Sequence, residues 1–172
     1  MITWTEFEKR APALAAAGRK QFYVHGLGLG FLATVRADGG PRVHPVCPII
    51  SAAGLHVLVM KGPKLADLRR DDRYALHSET CAPPHEDDGF AVFGRAVEVP
   101  GGVASGAGAV VREQALADRD GVLWPGFEEE ALFEFHLERC LLMLTHAEDA
   151  FPAGPTIWRA ALARICCRTG HF

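Results

Sequence analysis

No stretch of this chain is long and apolar enough to suggest a helix that crosses a membrane. The longest nearly uninterrupted apolar runs, His56 to Met60 and Cys140 to Leu144, fall far short of the roughly 20 residues such a helix needs. A secretory signal is also missing: Met1 is followed closely by Trp4, Glu6, Glu8, Lys9 and Arg10, without a basic start, an apolar middle and a small-residue cleavage site. A cytoplasmic protein is expected. Lysine and arginine form no long run, and 18 of them against 21 acidic residues leave a net charge of −3. Nucleic acid is therefore not the expected partner. The five cysteines Cys47, Cys81, Cys140, Cys166 and Cys167 make no CxxC pair and leave one over, which argues against a disulfide framework. Cys47 and Cys140 read as small hydrophobes inside strands.

Catalytic and metal signatures are scarce as well. There is no GxSxG, and Ser51, Ser78 and Ser105 have no His and acid at a telling spacing, so no catalytic residue can be named. His44 with Cys47, or Cys81 with His85, lacks the second pair of a zinc site, and the first two differ by an odd number, which puts them on opposite faces of a strand. No metal is expected. Gly28, Gly30 and Ala33 spell GxGxxA, but no strand of convincing length precedes them, a strand follows instead of a helix, and the acidic ribose contact is missing. The dinucleotide reading fails on context.

What is present is ample material for one core, with 49% apolar and 23% charged residues in a chain of 172. Thr3 and Glu6 have capping-box spacing before Trp4, Phe7, Ala11 and Leu14, which predicts an opening helix that Pro12 can split and Gly18 ends. Strands are expected over Phe31 to Arg36, Arg42 to Ile50 and His56 to Met60, with turns at Asp38–Gly40 and Ala53–Gly54. A short helix starting at Pro63 precedes a strand from Tyr74 to Ser78, and the stretch from Glu79 to Asp88 reads as a loop. Phe90 to Val99 alternates at period two. A helix follows over about 103–116, then a long strand from Phe133 whose apolar register continues through Leu141 and Met143 toward His146, and a final edge strand with Trp158. This order favours an α+β fold, an antiparallel split β-barrel with flanking short helices, over a parallel sheet.

The most informative stretch is Gly39-Gly40-Pro41-Arg42-Val43-His44-Pro45-Val46, followed after one strand by Lys61-Gly62-Pro63-Lys64. A hairpin strand with Arg42 and His44 on one face, beside a helix start bearing Lys64, can gather cations and backbone N–H groups on a phosphate. The same residues can equally be solvated charges at strand ends, and residue types alone leave both readings open.

Leu32 to Val46, Lys64 with Asp67 to Ser78, and Gly94-Arg95-Ala96 together resemble the pyridoxamine 5'-phosphate oxidase-like, FMN-binding split-barrel superfamily, over about residues 4–148. The resemblance implies one domain over 1–160 with a tail at 161–172, and a homodimer holding two cofactors at its interface. It implies FMN, with the deazaflavin F420 as the alternative and haem the least expected. The cofactor-binding residues it points to are Arg42, His44, Pro45, Val46, Val59, Met60, Gly62 and Lys64. It implies an FMN-dependent oxidoreductase acting on a small substrate, or alternatively an F420-dependent reductase or a non-catalytic flavin- or haem-binding protein. Two departures weaken a phosphate grip: His44 stands where the family often has arginine, and Gly62 near a family serine or threonine. The long basic C-terminal segment of a true pyridoxamine phosphate oxidase is absent.

Overall fold

The computed structural model describes residues 1–79, 88–144 and 155–160. The chain opens with α1 (Trp4–Arg10), whose capping box is complete: Glu6 N–H donates to Thr3 Oγ1 at 3.2 Å and Thr3 N–H to Glu6 Oε2 at 3.0 Å. Pro12 does split the helical segment, standing at the start of α2 (Pro12–Phe22). Gly18 does not end it. Gly18 faces the Phe90 ring so closely that an added Cβ would lie 2.5 Å from it, so this glycine serves helix-to-sheet contact and the helix continues for one more turn.

Eight strands follow among the described residues: β1 (Gly30–Val35), β2 (Pro41–Val46), β3 (Ile49–Ser51), β4 (Gly54–Val59), β5 (Arg73–Ser78), β6 (Gly89–Glu98), β7 (Ala131–Met143) and β8 (Thr156–Arg159). They are interleaved with α3 (Pro63–Arg70) and α4 (Gly106–Ala117). The hydrogen-bonded order is β2-β1-β5-β6-β7-β4-β3, with β8 added to β7. Every pairing is antiparallel. The sheet curls into an open half-barrel flanked by short helices, the α+β architecture that the pattern predicts.

One face of the sheet holds the main core, where Trp4, Phe7 and Phe22 from the first two helices meet Phe90, Phe133 and Phe135 from the sheet. Phe90 stands nearly perpendicular to Trp4 and Phe22, with centroids 6.2 and 5.8 Å away. A second cluster lies on the opposite face, where Val111 and Ala115 of α4 cover Ile49, Leu58 and Leu132. Both faces of β4 are therefore packed, and all six of its residues are buried.

Three sequence expectations need correction. The strand from Arg42 to Ile50 is broken by Cys47 and Pro48 into β2 and β3, since proline supplies no ladder N–H. Cys47, at that break, is only half-buried, whereas Cys140 is a core residue. The inward register of β7 passes from Leu137 to Cys140 and Leu142, not to Leu141 and Met143, because a bulge opposite Phe93 and Gly94 inserts one extra residue. Cys81, His85, His146, Cys166, Cys167 and most of the Glu79–Asp88 loop lie outside the described residues.

Gly28, part of the rejected dinucleotide pattern, has a packing role instead. A Cβ there would fall 1.8 Å from the Pro48 carbonyl oxygen, so the chain entering β1 crosses the β2–β3 break at backbone distance.

Candidate functional site

An open cavity of about 400 Å³ lies where β2, the end of β4 and the start of α3 meet. Pro45, Val46 and Cys47 form one wall, Leu58 and Met60 a second, and Lys64 projects from the first turn of α3. The two-residue period of a strand accounts for the second wall. Leu58 and Met60 face the cavity, while Val59 between them is buried in the main core.

The eight residues singled out in the sequence thus separate. Pro45, Val46, Met60 and Lys64 come together around the cavity. Val59 does not, and Gly62 caps α3 outside the lining. Arg42 is committed elsewhere: its Nε donates to Asp67 Oδ2 at 2.6 Å. Asp67 is buried on α3 and also accepts from Thr34 Oγ1 at 3.2 Å and from Arg70 at 3.3 Å. Burial alone would raise the Asp67 pKa, but the hydrogen bonds from Arg42, Arg70 and Thr34 outweigh it and hold the carboxyl below its ordinary range. The arginine expected at a phosphate is thereby the outer partner of a buried carboxylate.

His44 sits beside Lys64 and Arg42, its Nε2 buried without a hydrogen-bond partner. Loss of hydration, then the positive charges of Lys64 and Arg42, depress its pKa, so the ring is neutral at pH 7. Lys64 is likewise pushed down by burial, partly offset by Glu130 and Cys47. Among the described residues it has no ion-pair partner. A half-buried ammonium that makes no ion pair among the described residues, beside a neutral imidazole and apolar walls, fits the anionic end of a ligand whose remainder is apolar. Among the described residues no group of three or more His, Cys, Asp or Glu is arranged to hold a metal ion.

Of the lining, Cys47, Leu58, Arg119, Trp124 and Glu130 were not among the cofactor-binding residues singled out in the sequence. Arg119, Trp124 and Glu130, from the connection between α4 and β7, close the remaining side. The start of this roof is pinned by Tyr23, whose hydroxyl donates to Asp118 Oδ2 at 3.1 Å and accepts from Ile50 N–H at 3.0 Å. Burial raises the Tyr23 pKa to about 12, so it remains a donor at all ordinary pH. The available signal was one tryptophan ahead of Pro125 and Gly126, in a stretch without periodicity.

This curled antiparallel sheet with its peripheral helices is a split barrel, a fold found in several solved structures. It is shared with a heme-binding protein from Mycobacterium smegmatis (TM-score 0.60, 14% identity), the match covering 84% of this chain but only 57% of that one. It is shared also with HutZ, the heme storage protein from Vibrio cholerae (TM-score 0.58, 18% identity, 74% of this chain and 89% of that one). An F420 reductase has it too (TM-score 0.52, 20% identity, 70% of this chain and 94% of that one). No family model and no curated protein matches the chain. At these identities the likeness is one of fold. It overturns the ranking of haem below FMN and F420, because two of these three structures belong to proteins of haem binding or storage; haem stands at least level with FMN. No helix among the described residues is long and apolar enough to cross a membrane.

Proposed function

We propose that this chain is a cofactor-binding split barrel that holds a planar, anionic redox cofactor, haem or a flavin, in the cavity between β2, β4 and α3. The observation that carries this reading is the pairing of apolar walls with Lys64, a half-buried cation without an ion-pair partner among the described residues. The residues suit either cofactor. Lys64 would take a phosphate or a propionate, Pro45, Val46 and Met60 would pack against the ring, and Cys47 and Met60 place two sulfur donors, both known ligand types for haem iron, within the same walls. When bound, haem would supply a redox-active iron and a flavin a hydride-accepting ring. The chain's own contribution is to bind, orient and shield. The occurrence of this fold in a haem-binding and a haem-storage protein supports a carrier or storage role over an oxidoreductase.

The cofactor site is proposed to lie at a two-fold interface. Phe31, Val43 and Phe93 line an apolar groove on the outer face of β1, β2 and β6, and Phe31 and Val43 are 43% and 60% exposed. Pro45, two residues from Val43 on the same side of β2, reaches the cavity as well. Covering that face with a second copy would bury the groove and shield the cavity together.

The experiment is titration of the cofactor-free protein with haem, FMN and F420, followed by absorbance, for the wild type and Lys64→Ala. The wild type binds at least one of them. Lys64→Ala loses a charge-assisted contact of roughly 1.5–3 kcal/mol, weakening that cofactor by about 10-fold to 150-fold. Equal affinities for the two proteins would remove Lys64 from the site, and failure of all three cofactors to bind would end the proposal.

A further inference from the structure

The roof of the cavity is too specifically assembled to be a mere cover. Trp124 is fixed on three sides. Its Nε1 donates to Glu130 Oε1 at 2.7 Å, its edge meets Phe127 at 4.9 Å between centroids, and the Arg119 guanidinium lies 4.6 Å from its ring centre. Phe127 belongs to the second core together with Leu58, and Leu58 is also a wall of the cavity. Roof and wall therefore share one anchor, and the orientation of the indole is set before any ligand arrives. Arg119 pairs with no carboxylate among the described residues and rests on an aromatic ring, as Arg19 does on Tyr23 and Arg139 on Phe93, but of these three stacked arginines it is Arg119 that lines the cavity.

The geometry points to the Arg119–Trp124 stack as the element that recognises the flat ring of the ligand, with Trp124 as the specificity-determining residue. Both side chains line the cavity, so a conjugated planar molecule meets a preformed cation–π pair and adds the next layer to it. Glu130 joins this platform to the anion end: it holds the indole and also lies within electrostatic reach of Lys64. Ring recognition is thereby separated from anion recognition, the first residing in the roof and the second at the start of α3. This inference rests on the reading of the cavity as a cofactor site and adds to it the residues that select for planarity.

The test compares FMN with riboflavin, which has the same ring and no phosphate, and adds haem as a second ring chemistry. Affinities are measured for the wild type, Trp124→Leu, Trp124→Phe, Arg119→Gln and Lys64→Ala, with circular dichroism as a check on folding. Trp124→Leu should weaken every ring ligand that the wild type binds by about ten-fold, and FMN and riboflavin by the same factor. Trp124→Phe keeps a stacking face and should stay within about three-fold of wild type, while Lys64→Ala should weaken FMN and leave riboflavin unchanged. Should Trp124→Leu fail to fold, Arg119→Gln decides, since it removes the other layer without altering the core; a loss of about three-fold or more for every ring ligand supports the platform. Unchanged ring affinity in the folded Trp124 and Arg119 variants overturns the inference while leaving the cofactor site standing. If the wild type binds neither flavin nor haem, the site reading falls and takes the platform with it.

Discussion

Replacing Asp67 with alanine should destabilise the fold by about 2–3 kcal/mol. The carboxylate is 4% exposed and accepts from Arg42 at 2.6 Å, Arg70 at 3.3 Å and Thr34 at 3.2 Å. Charge-assisted hydrogen bonds contribute roughly 1.5–3 kcal/mol each, but the two arginines are 31% and 40% exposed. They can turn to water once the acid is gone, which brings the total to or somewhat below about 3 kcal/mol, the lower end for two such bonds. In a chain of this length the loss corresponds to a fall in Tm of roughly 4–12 °C. Asp67→Asn, which keeps the volume and one acceptor, should lose about half as much free energy. Urea unfolding monitored by circular dichroism measures both. The acid limb supplies an independent check. Asp67 has a folded pKa below its ordinary value of 3.8, so its stabilisation is complete above about that pH and is lost as pH falls through the folded pKa. The gap between wild type and Asp67→Ala should therefore close below pH 3.8. A wild-type advantage at pH 7 under about 0.5 kcal/mol, or one unchanged at low pH, would refute the account of Asp67 as a buried hub.

Phe90→Ala removes the ring that Trp4 and Phe22 meet edge-on and should cost about 3–5 kcal/mol in urea unfolding, since α1 and α2 lose their shared contact with the sheet. His56 is buried on β4, and burial lowers its pKa below 6.5; the unfolded chain takes the proton first, so stability should fall as pH drops below 6.5. His56→Gln should flatten that slope, as read from urea midpoints across this range. Val43→Glu places a charge on the exposed apolar face and should convert the proposed dimer, of about twice the 18.6 kDa chain mass, to monomer in light scattering.

How far the sequence disclosed these features depended on how local they were. Pro45, Val46, Met60 and Lys64 lie within about twenty residues of one another, in β2, just after β4 and in the first turn of α3, and the short chain between them keeps them near one another although β2 and β4 are not paired in the sheet. Arg42 was legible as a nearby cation but not as the partner of Asp67, because a helix and a strand must dock before the two meet. Trp124 and Glu130 reach the cavity from a connection some sixty residues downstream, in a segment with no period to mark its direction. The barrel was legible because period-two alternation is imposed wherever one sheet face is buried. Its break at Cys47–Pro48 and its bulge in β7 were not, since both depend on what lies across the sheet.

That bulge gives the strand an unusual tolerance. Removing one residue from a regular strand turns every later side chain to the wrong face. In β7 the two consecutive exposed residues Glu138 and Arg139 separate Leu137 from Cys140, so loss of Glu138 would restore plain alternation and leave Cys140 and Leu142 pointing into the core. What would be given up is peripheral: the 2.8 Å bond from Ala160 N–H to the Glu138 carbonyl and a 3.6 Å ion pair with Arg95. Among descendants of a common ancestor, this is a place within a core strand where chain length can drift by one residue without the barrel having to be rebuilt.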